Sequence, residues 1–277
     1  MFIQWPGDIP NIPQRIVSTV PSITELLAYL GLDNETVGIT KFCVHPEAWF
    51  RSKTRIGGTK NLNIEKIGDL NPDLIFCNKE ENVKEQAEAL AEKFPVCLTD
   101  VQNFEDALAM IELVGMLTGK KAEAEELIKD IRQNFSSIPG QPALSQNPKP
   151  ETPNPKPQTL LPTAYLIWKD PYMTVGGDTF ISDMMEKAGL DNIYKDQKRY
   201  PQLTIPELQT QNPKLLLLSS EPYPFKEKHI AELQAALPDT KILLADGEMF
   251  SWYGSRMLWA AEYFRDLSQQ LLLNKMN

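Results

Sequence analysis

The residues best suited to chemistry in this chain cluster in six short segments, each following an apolar, strand-like run. In the first half these are Pro21-Ser22, Lys41-Phe42-Cys43-Val44-His45 and Asn78-Lys79-Glu80-Glu81-Asn82. In the second half they are Trp168-Lys169-Asp170-Pro171-Tyr172, Glu221-Pro222-Tyr223 and Phe250-Ser251-Trp252-Tyr253. Large aromatics beside polar groups supply rigid apolar area with a polar tip, which suits recognition of a broad, flat small molecule. Tyr253-Gly254-Ser255-Arg256 opens the last helix, where free backbone N–H groups and Arg256 suit an anionic group. Capping of that helix by Ser255 accounts for the same residues without a ligand.

Covalent and metal chemistry find less support. The chain has two histidines. His45 reads as a ligand contact, an axial metal ligand or a surface imidazole, whereas His229 lies on a Lys- and Glu-rich helix and is expected to be solvated. A dedicated transition-metal site needs several converging donors, and no such set is evident. Gly176-Gly177-Asp178 is a turn before a helix capped by Asp178 or Thr179; it is not a phosphate loop, since neither GxGxxG nor GxxxxGKS follows. No GxSxG nucleophile elbow is present. The expectation is a binding protein that is not an enzyme, with no cofactor of its own.

The segments are positioned by an alternation of strands and helices. The first half runs from RIVSTV through SITELLAYLGL, TVGIT, an irregular stretch around His45-Pro46, a short strand at Arg55-Ile56, a helix over 64–70, DLIFC, a helix over 82–93, VCLTD and a helix over 104–119. The second resumes with TAYLIW and YMTVGG, followed by a helix from Thr179 to Ala188. A helix after Thr204, LLLLSS, a helix from Lys226 to Ala236, KILLADG and a helix from about Ser255 to Leu273 complete it. Such alternation predicts βαβ units with mostly parallel sheets. Two stretches, IEKIGDLNPDLIFC from Ile64 and PELQTQNPKLLLLSS from Pro206, are versions of one helix–Asn-Pro–strand unit.

The expected organisation is therefore an N-terminal α/β lobe over 1–119, a connecting helix over 120–138, an exposed Pro-rich insertion over 139–162 and a C-terminal α/β lobe over 163–277. Eight prolines lie between Pro139 and Pro162, among polar residues that bury too little apolar surface to order themselves. Cys43, Cys77 and Cys97 lack metal-type spacing and read as buried free thiols. A net charge of −9 over 277 residues argues against a nucleic-acid surface. The N-terminal MFIQWPGDIPNIPQRIV lacks the charge and apolar run of a secretory signal, so as it stands it predicts a cytoplasmic chain. No apolar run approaches the roughly 20 residues a membrane span needs.

With these stretches in view the chain resembles the cobalamin- and siderophore-binding proteins of ABC importers, of the class with a helical backbone. RIVSTVPSITELLAYLGL, VGITKFCVHP, RIGGTKNLNIEKIGDLNPDLIF, GGDTFISDMMEKAGLDN and LLLLSSEPYPF carry the resemblance. It implies two Rossmann-like lobes with mostly parallel central sheets joined by one long helix. A corrinoid or another metal chelate, such as cobalamin or an iron chelate, is then the expected ligand of a monomer. Ligand-facing candidates are Ser22, His45, Glu80, Glu81, Asn82, Trp168, Tyr172, Trp252, Tyr253 and Arg256, with Trp168, Tyr172, Trp252 and Tyr253 as the second-lobe members. His45 falls where cobalamin binders place an aromatic residue.

Family members also dock on transporter membrane subunits through one glutamate per lobe. Glu65 lies seven residues before Pro72, matching that pattern, whereas Pro206 holds the equivalent second-lobe place and Glu207 stands beside it. Thr204-Ile205-Pro206-Glu207 is itself a capping box. The family works in the periplasm or lipid-anchored outside the inner membrane; an intracellular carrier of the same ligands is the alternative, and an enzyme on the same scaffold a further one.

Overall fold

The computed structural model describes residues 1–3, 6–138 and 160–273, so most of the Pro-rich stretch lies outside the described residues. The chain divides into two compact units, Met1–Asp130 with Trp252–Met257 and Ile131–Ser251 with Leu258–Asn277. Trp252 and Tyr253, expected in the second half by sequence order, pack with the first unit. The helix Lys121–Ser136 carries the chain across the boundary at Asp130. It buries Ala124, Leu127, Ile131 and Phe135, a stripe at helical spacing.

The first unit is built on one six-stranded parallel sheet. Its strands lie in the order Phe2–Ile3, Val96–Thr99, Leu74–Asn78, Ile16–Ser18, Thr36–Ile39 and Thr54–Arg55. Parallel strands are covered on both faces by their crossover helices, hence continuous apolar runs. Leu74–Asn78 is buried at every position, and Val17, Ile56, Ile67, Ile75, Leu90 and Val96 form a core around it. Local signals start and stop the helices: Asn103 accepts the Asp106 N–H at 2.9 Å to open Phe104–Thr118, and Gly119 closes it in the left-handed conformation.

The second unit has a four-stranded parallel sheet in the order Leu190–Asn192, Leu161–Leu166, Leu215–Ser219 and Lys241–Ala245. Leu166, Leu208, Leu216, Leu218, Phe225 and Leu233 anchor its core. The strand that opens it begins at Leu161, so Leu161 and Pro162 belong to the sheet rather than to the expected insertion. Thr179 caps Phe180–Lys187 by accepting from Ser182 N, one of the two residues the sequence offered for that role.

Several local expectations are corrected. The stretch after His45-Pro46 contains the helix Glu47–Ser52, Gly247–Ser251 is a further short helix, and the last helix begins at Met257. Phe2–Ile3 is an edge strand, paired with Val96 and Cys97. These elements are too short for periodicity to reveal, and the two-residue strand exists because a longer neighbour offers it an edge.

The repeated helix–Asn-Pro–strand unit appears once in each half of the fold. Ile64–Asp69 precedes Leu74–Asn78 and Ile205–Gln211 precedes Leu215–Ser219. In both, the asparagine before the proline turns the chain at positive φ, 43° at Asn71 and 47° at Asn212. That conformation costs most L-residues about 1–2 kcal/mol and asparagine less. Asn71→Ala and Asn212→Ala should each lower stability by about 1 kcal/mol, while the glycine variants stay near neutral. Urea unfolding midpoints at constant slope measure this.

Candidate functional site

In each of the two larger sheets the chain builds outward from an interior strand, Ile16–Ser18 or Leu161–Leu166, and then continues on that strand's other side. Such a reversal opens a crevice at the strands' carboxyl ends, where open α/β sheets hold ligands. In the first unit it falls between Ile16–Ser18 and Leu74–Asn78; in the second, between Leu161–Leu166 and Leu215–Ser219.

At the first reversal two asparagines shape the loop. Asn82 Oδ1 accepts from Thr19 Oγ1 at 2.7 Å and from Asn78 N at 2.9 Å, while Asn82 Nδ2 donates to the Thr59 carbonyl at 3.0 Å. Asn78 Oδ1 in turn accepts the N–H groups of Glu80 at 2.8 Å and Glu81 at 3.3 Å. Asn82 is therefore a buried brace of the loop, with these bonds engaging both ends of the amide. The brace holds Glu80 and Glu81, both half-buried. Burial raises the Glu81 pKa, Lys60 opposes this, and Glu80 adds to it.

Tyr253 sits over the same strand ends, 6% exposed. Burial raises its phenol pKa well above the ordinary value, with Glu81 and then Glu80 contributing, while the neighbouring Ser22 and Thr99 hydroxyls pull the other way. Ser22, Glu80, Glu81 and Tyr253 thus share one neighbourhood, to which Thr99 belongs although sequence reasoning passed over it. Its signal was the one used elsewhere, a polar residue closing an apolar strand. Gly254, at φ +95°, lets the segment turn against the Ser22 carbonyl and the Leu26 side chain.

Beside Tyr253 runs a chain of contacts. The His45 and Trp252 rings meet edge to face at 5.5 Å, and the Arg256 guanidinium lies 5.1 Å from the Trp252 ring centre. Arg256 is bonded by both ends to Glu25, Nε to Oε2 at 2.9 Å and Nη2 to Oε1 at 2.5 Å. Their side chains are 11% and 12% exposed. Arg256, proposed from sequence to receive an anion, thus meets a carboxylate within the protein. Ser255 is buried two residues before the start of the last helix. The loop carrying His45 is tied down by Cys43, whose sulfur accepts from Thr24 Oγ1 at 3.1 Å and lies 3.2 Å from Thr40 Oγ1. All three cysteines are buried free thiols, as expected.

At the second reversal the residues are aromatic. Trp168 is 40% exposed and meets Tyr223 edge to face at 5.8 Å. Tyr172 begins a short strand antiparallel to Gln202–Leu203 and packs on the core below. Tyr223, from the Glu221-Pro222-Tyr223 segment singled out in the sequence, completes the aromatic surface. His229, expected in solvent, is 2% exposed, with Phe225 and Tyr223 at 5.4 and 5.6 Å. Its side chain turns inward because its ring accepts the Lys226 N–H at 2.9 Å at the start of Glu227–Ala236.

The surface glutamates differ. Glu65 is exposed in the first turn of Ile64–Asp69. Glu207 is exposed as well, but its carboxylate accepts from Thr204 N at 2.7 Å and Thr204 Oγ1 at 2.8 Å in the expected capping box. Among the described residues no group of three or more His, Cys, Asp and Glu is placed to hold a metal ion, and no helix is long and apolar enough to cross a membrane.

The model of the family described as "Periplasmic binding protein" matches residues 16–238, and the chain belongs to that family. It is 28% identical over 210 residues to the uncharacterized ABC transporter substrate-binding lipoprotein YvrC of Bacillus subtilis (strain 168), covering 74% of this chain and 63% of that one. It is 23% identical over 259 residues to the vitamin B12-binding protein of Pectobacterium carotovorum subsp. carotovorum (strain PC1), covering 91% of this chain and 87% of that relative. A periplasmic heme binding protein of Pseudomonas aeruginosa superposes with a TM-score of 0.73 at 17% identity over 91% of each chain. The fold is thus the α/β fold expected.

Two measurements test the geometry. Glu25→Ala removes the carboxylate to which the largely buried Arg256 side chain is bonded and should cost about 2–4 kcal/mol in guanidinium unfolding, Glu25→Gln less. Because its pKa is raised, the contribution of Glu81 to stability is full below the ordinary carboxylate range and is lost as pH rises through the raised value. Glu81→Gln should therefore raise the melting temperature near pH 7 and leave it little changed near pH 3.5.

Proposed function

We propose that this protein is the substrate-binding component of an ABC-type importer and captures a flat metal chelate of the corrinoid or heme class without chemically altering it. The observation that carries this reading is the pair of loop clusters at the sheet reversals. The first offers His45, Trp252, Tyr253, Ser22 and a carboxylate pair; the second offers Trp168, Tyr172 and Tyr223. Rings present apolar area matched to a macrocycle, and the carboxyl and hydroxyl groups match its polar edge. A relative named for vitamin B12 and a structural neighbour named for heme support the ligand class. A chelate brings its own metal, so the protein needs no metal site.

Import requires docking on membrane subunits, which we assign to Glu65 and Glu207. Glu65 is the more available of the two, because Glu207 is held by Thr204. The lobe boundaries expected from sequence are part of the same proposal, amended by the membership of Trp252–Met257 in the first unit.

Titration with cobalamin, cobinamide, hemin and a ferric hydroxamate, read by tryptophan fluorescence, tests the reading. One of the first three should quench saturably at about micromolar concentration or below, leave the chelate unchanged, and quench less in Trp168→Phe. Silence with all four overturns it.

A further inference from the structure

His229 belongs to none of the expected site residues, yet it is the most constrained titratable group at the second reversal. It occupies the third position of Glu227–Ala236, where a capping box places a Glu or Gln reaching back to the residue before the helix. Here the imidazole does this work. Nδ1 accepts the Lys226 N–H at 2.9 Å, so it carries no proton. The hydrogen of the neutral ring is then on Nε2, which faces the Tyr223 hydroxyl at 3.4 Å.

The same ring belongs to an aromatic stack leading to the surface. His229 meets Phe225 at 5.4 Å and Tyr223 at 5.6 Å; Tyr223 meets Phe225 at 4.8 Å and Trp168 at 5.8 Å. The Tyr223 backbone N–H also donates to the Ile167 carbonyl at 3.3 Å, beside Trp168. Exposed Trp168 thus rests on Tyr223, and Tyr223 rests on His229.

We propose that His229 is a positioning residue for ligand capture, holding the Tyr223–Trp168 ring pair while neutral and releasing it when protonated. The proposal rests on the chelate-binding reading above and concerns the second unit's contribution to it. A proton on Nδ1 breaks the cap bond and places a cation at a helix N-terminus, where the backbone dipole repels it.

The neighbouring charges act in the same direction. Lys226 and Lys228 on the helix and Lys169 on the loop after Leu161–Leu166 oppose protonation, with Glu232 favouring it. Glu232 is itself paired with Lys169, and Tyr223 is the titratable group facing the ring from the other loop. Burial, then Lys169, then Lys228, hold the imidazole pKa below its ordinary value. The platform therefore stands at neutral pH, and is lost as pH falls below the ordinary histidine range through the lowered value.

The test uses the full chain without and with ligand. Long-range proton–nitrogen NMR should show the Nε2–H tautomer at neutral pH and a titration below the ordinary histidine value. The near-UV dichroism of Trp168, obtained by difference from Trp168→Phe, should change over the same range. In His229→Gln, where glutamine keeps the cap, that change should vanish. Affinity for dicyanocobinamide or hemin should fall about two- to tenfold in this variant, the worth of one aromatic contact, with the melting temperature retained.

An Nδ1–H tautomer, a Trp168 signal indifferent to the His229 proton, or unchanged chelate affinity in His229→Gln overturns the proposal. If neither chelate binds the native chain while Trp168 still follows His229, the ring coupling stands and the chelate reading falls.

Discussion

The reversal of strand order in each parallel sheet is the constraint on which the other features depend. A parallel strand can be joined to its neighbour only by a crossover, and crossovers in one sheet share a hand. A chain that builds outward on one side of a strand and then on the other must therefore part the loops above the reversal. The strands on either side of which the chain builds are Leu161–Leu166 and Ile16–Ser18, the latter preceded in the chain only by the edge strand Phe2–Ile3. The loops beside each carry the polar and aromatic side chains, and the apolar interior of the neighbouring strands holds those loops in place.

Holding carboxylates and rings at such a place opposes the usual rules of burial. Glu81 sits where burial disfavours its charge, close to Glu80, beneath a buried phenol. The protein offsets this with Lys60 and with a loop whose turn is dictated by Asn78 and Asn82. The partly buried Glu25–Arg256 pair has the same character. It joins a helix near the start of the chain to a segment near its end, and replacement of one partner is expected to cost more than the pair's own net worth.

The candidate site was legible in part, for identifiable reasons. Ser22, His45, Glu80, Glu81, Trp252 and Tyr253 were singled out because each follows an apolar run, and position after a strand is a property of the linear sequence. The bracing role of Asn82 was not legible because a side-chain amide looks the same in sequence whether it faces a ligand or braces its own loop. The bond of Arg256 to Glu25 was not legible because Glu25 lies 231 residues away along the chain. His229 was placed in solvent on the evidence of its Lys and Glu neighbours, but helix neighbours in sequence point in different directions. Its ring turns inward to bond the Lys226 N–H.

The sequence by itself determined the elements whose causes are local. The alternation of strands and helices, the Thr204–Glu207 capping box, the two Asn-Pro turns, the free cysteines and the α/β class all follow from composition and spacing within a dozen or so residues. Tertiary structure decided whatever depends on partners distant in the chain. The two-residue strand Phe2–Ile3 exists through Val96 and Cys97, Trp252–Met257 packs with the first unit rather than with its chain neighbours, and Arg256 is bonded to Glu25. The physical reason is that burial and charge pairing act between surfaces, and which surfaces meet is settled only when the chain folds.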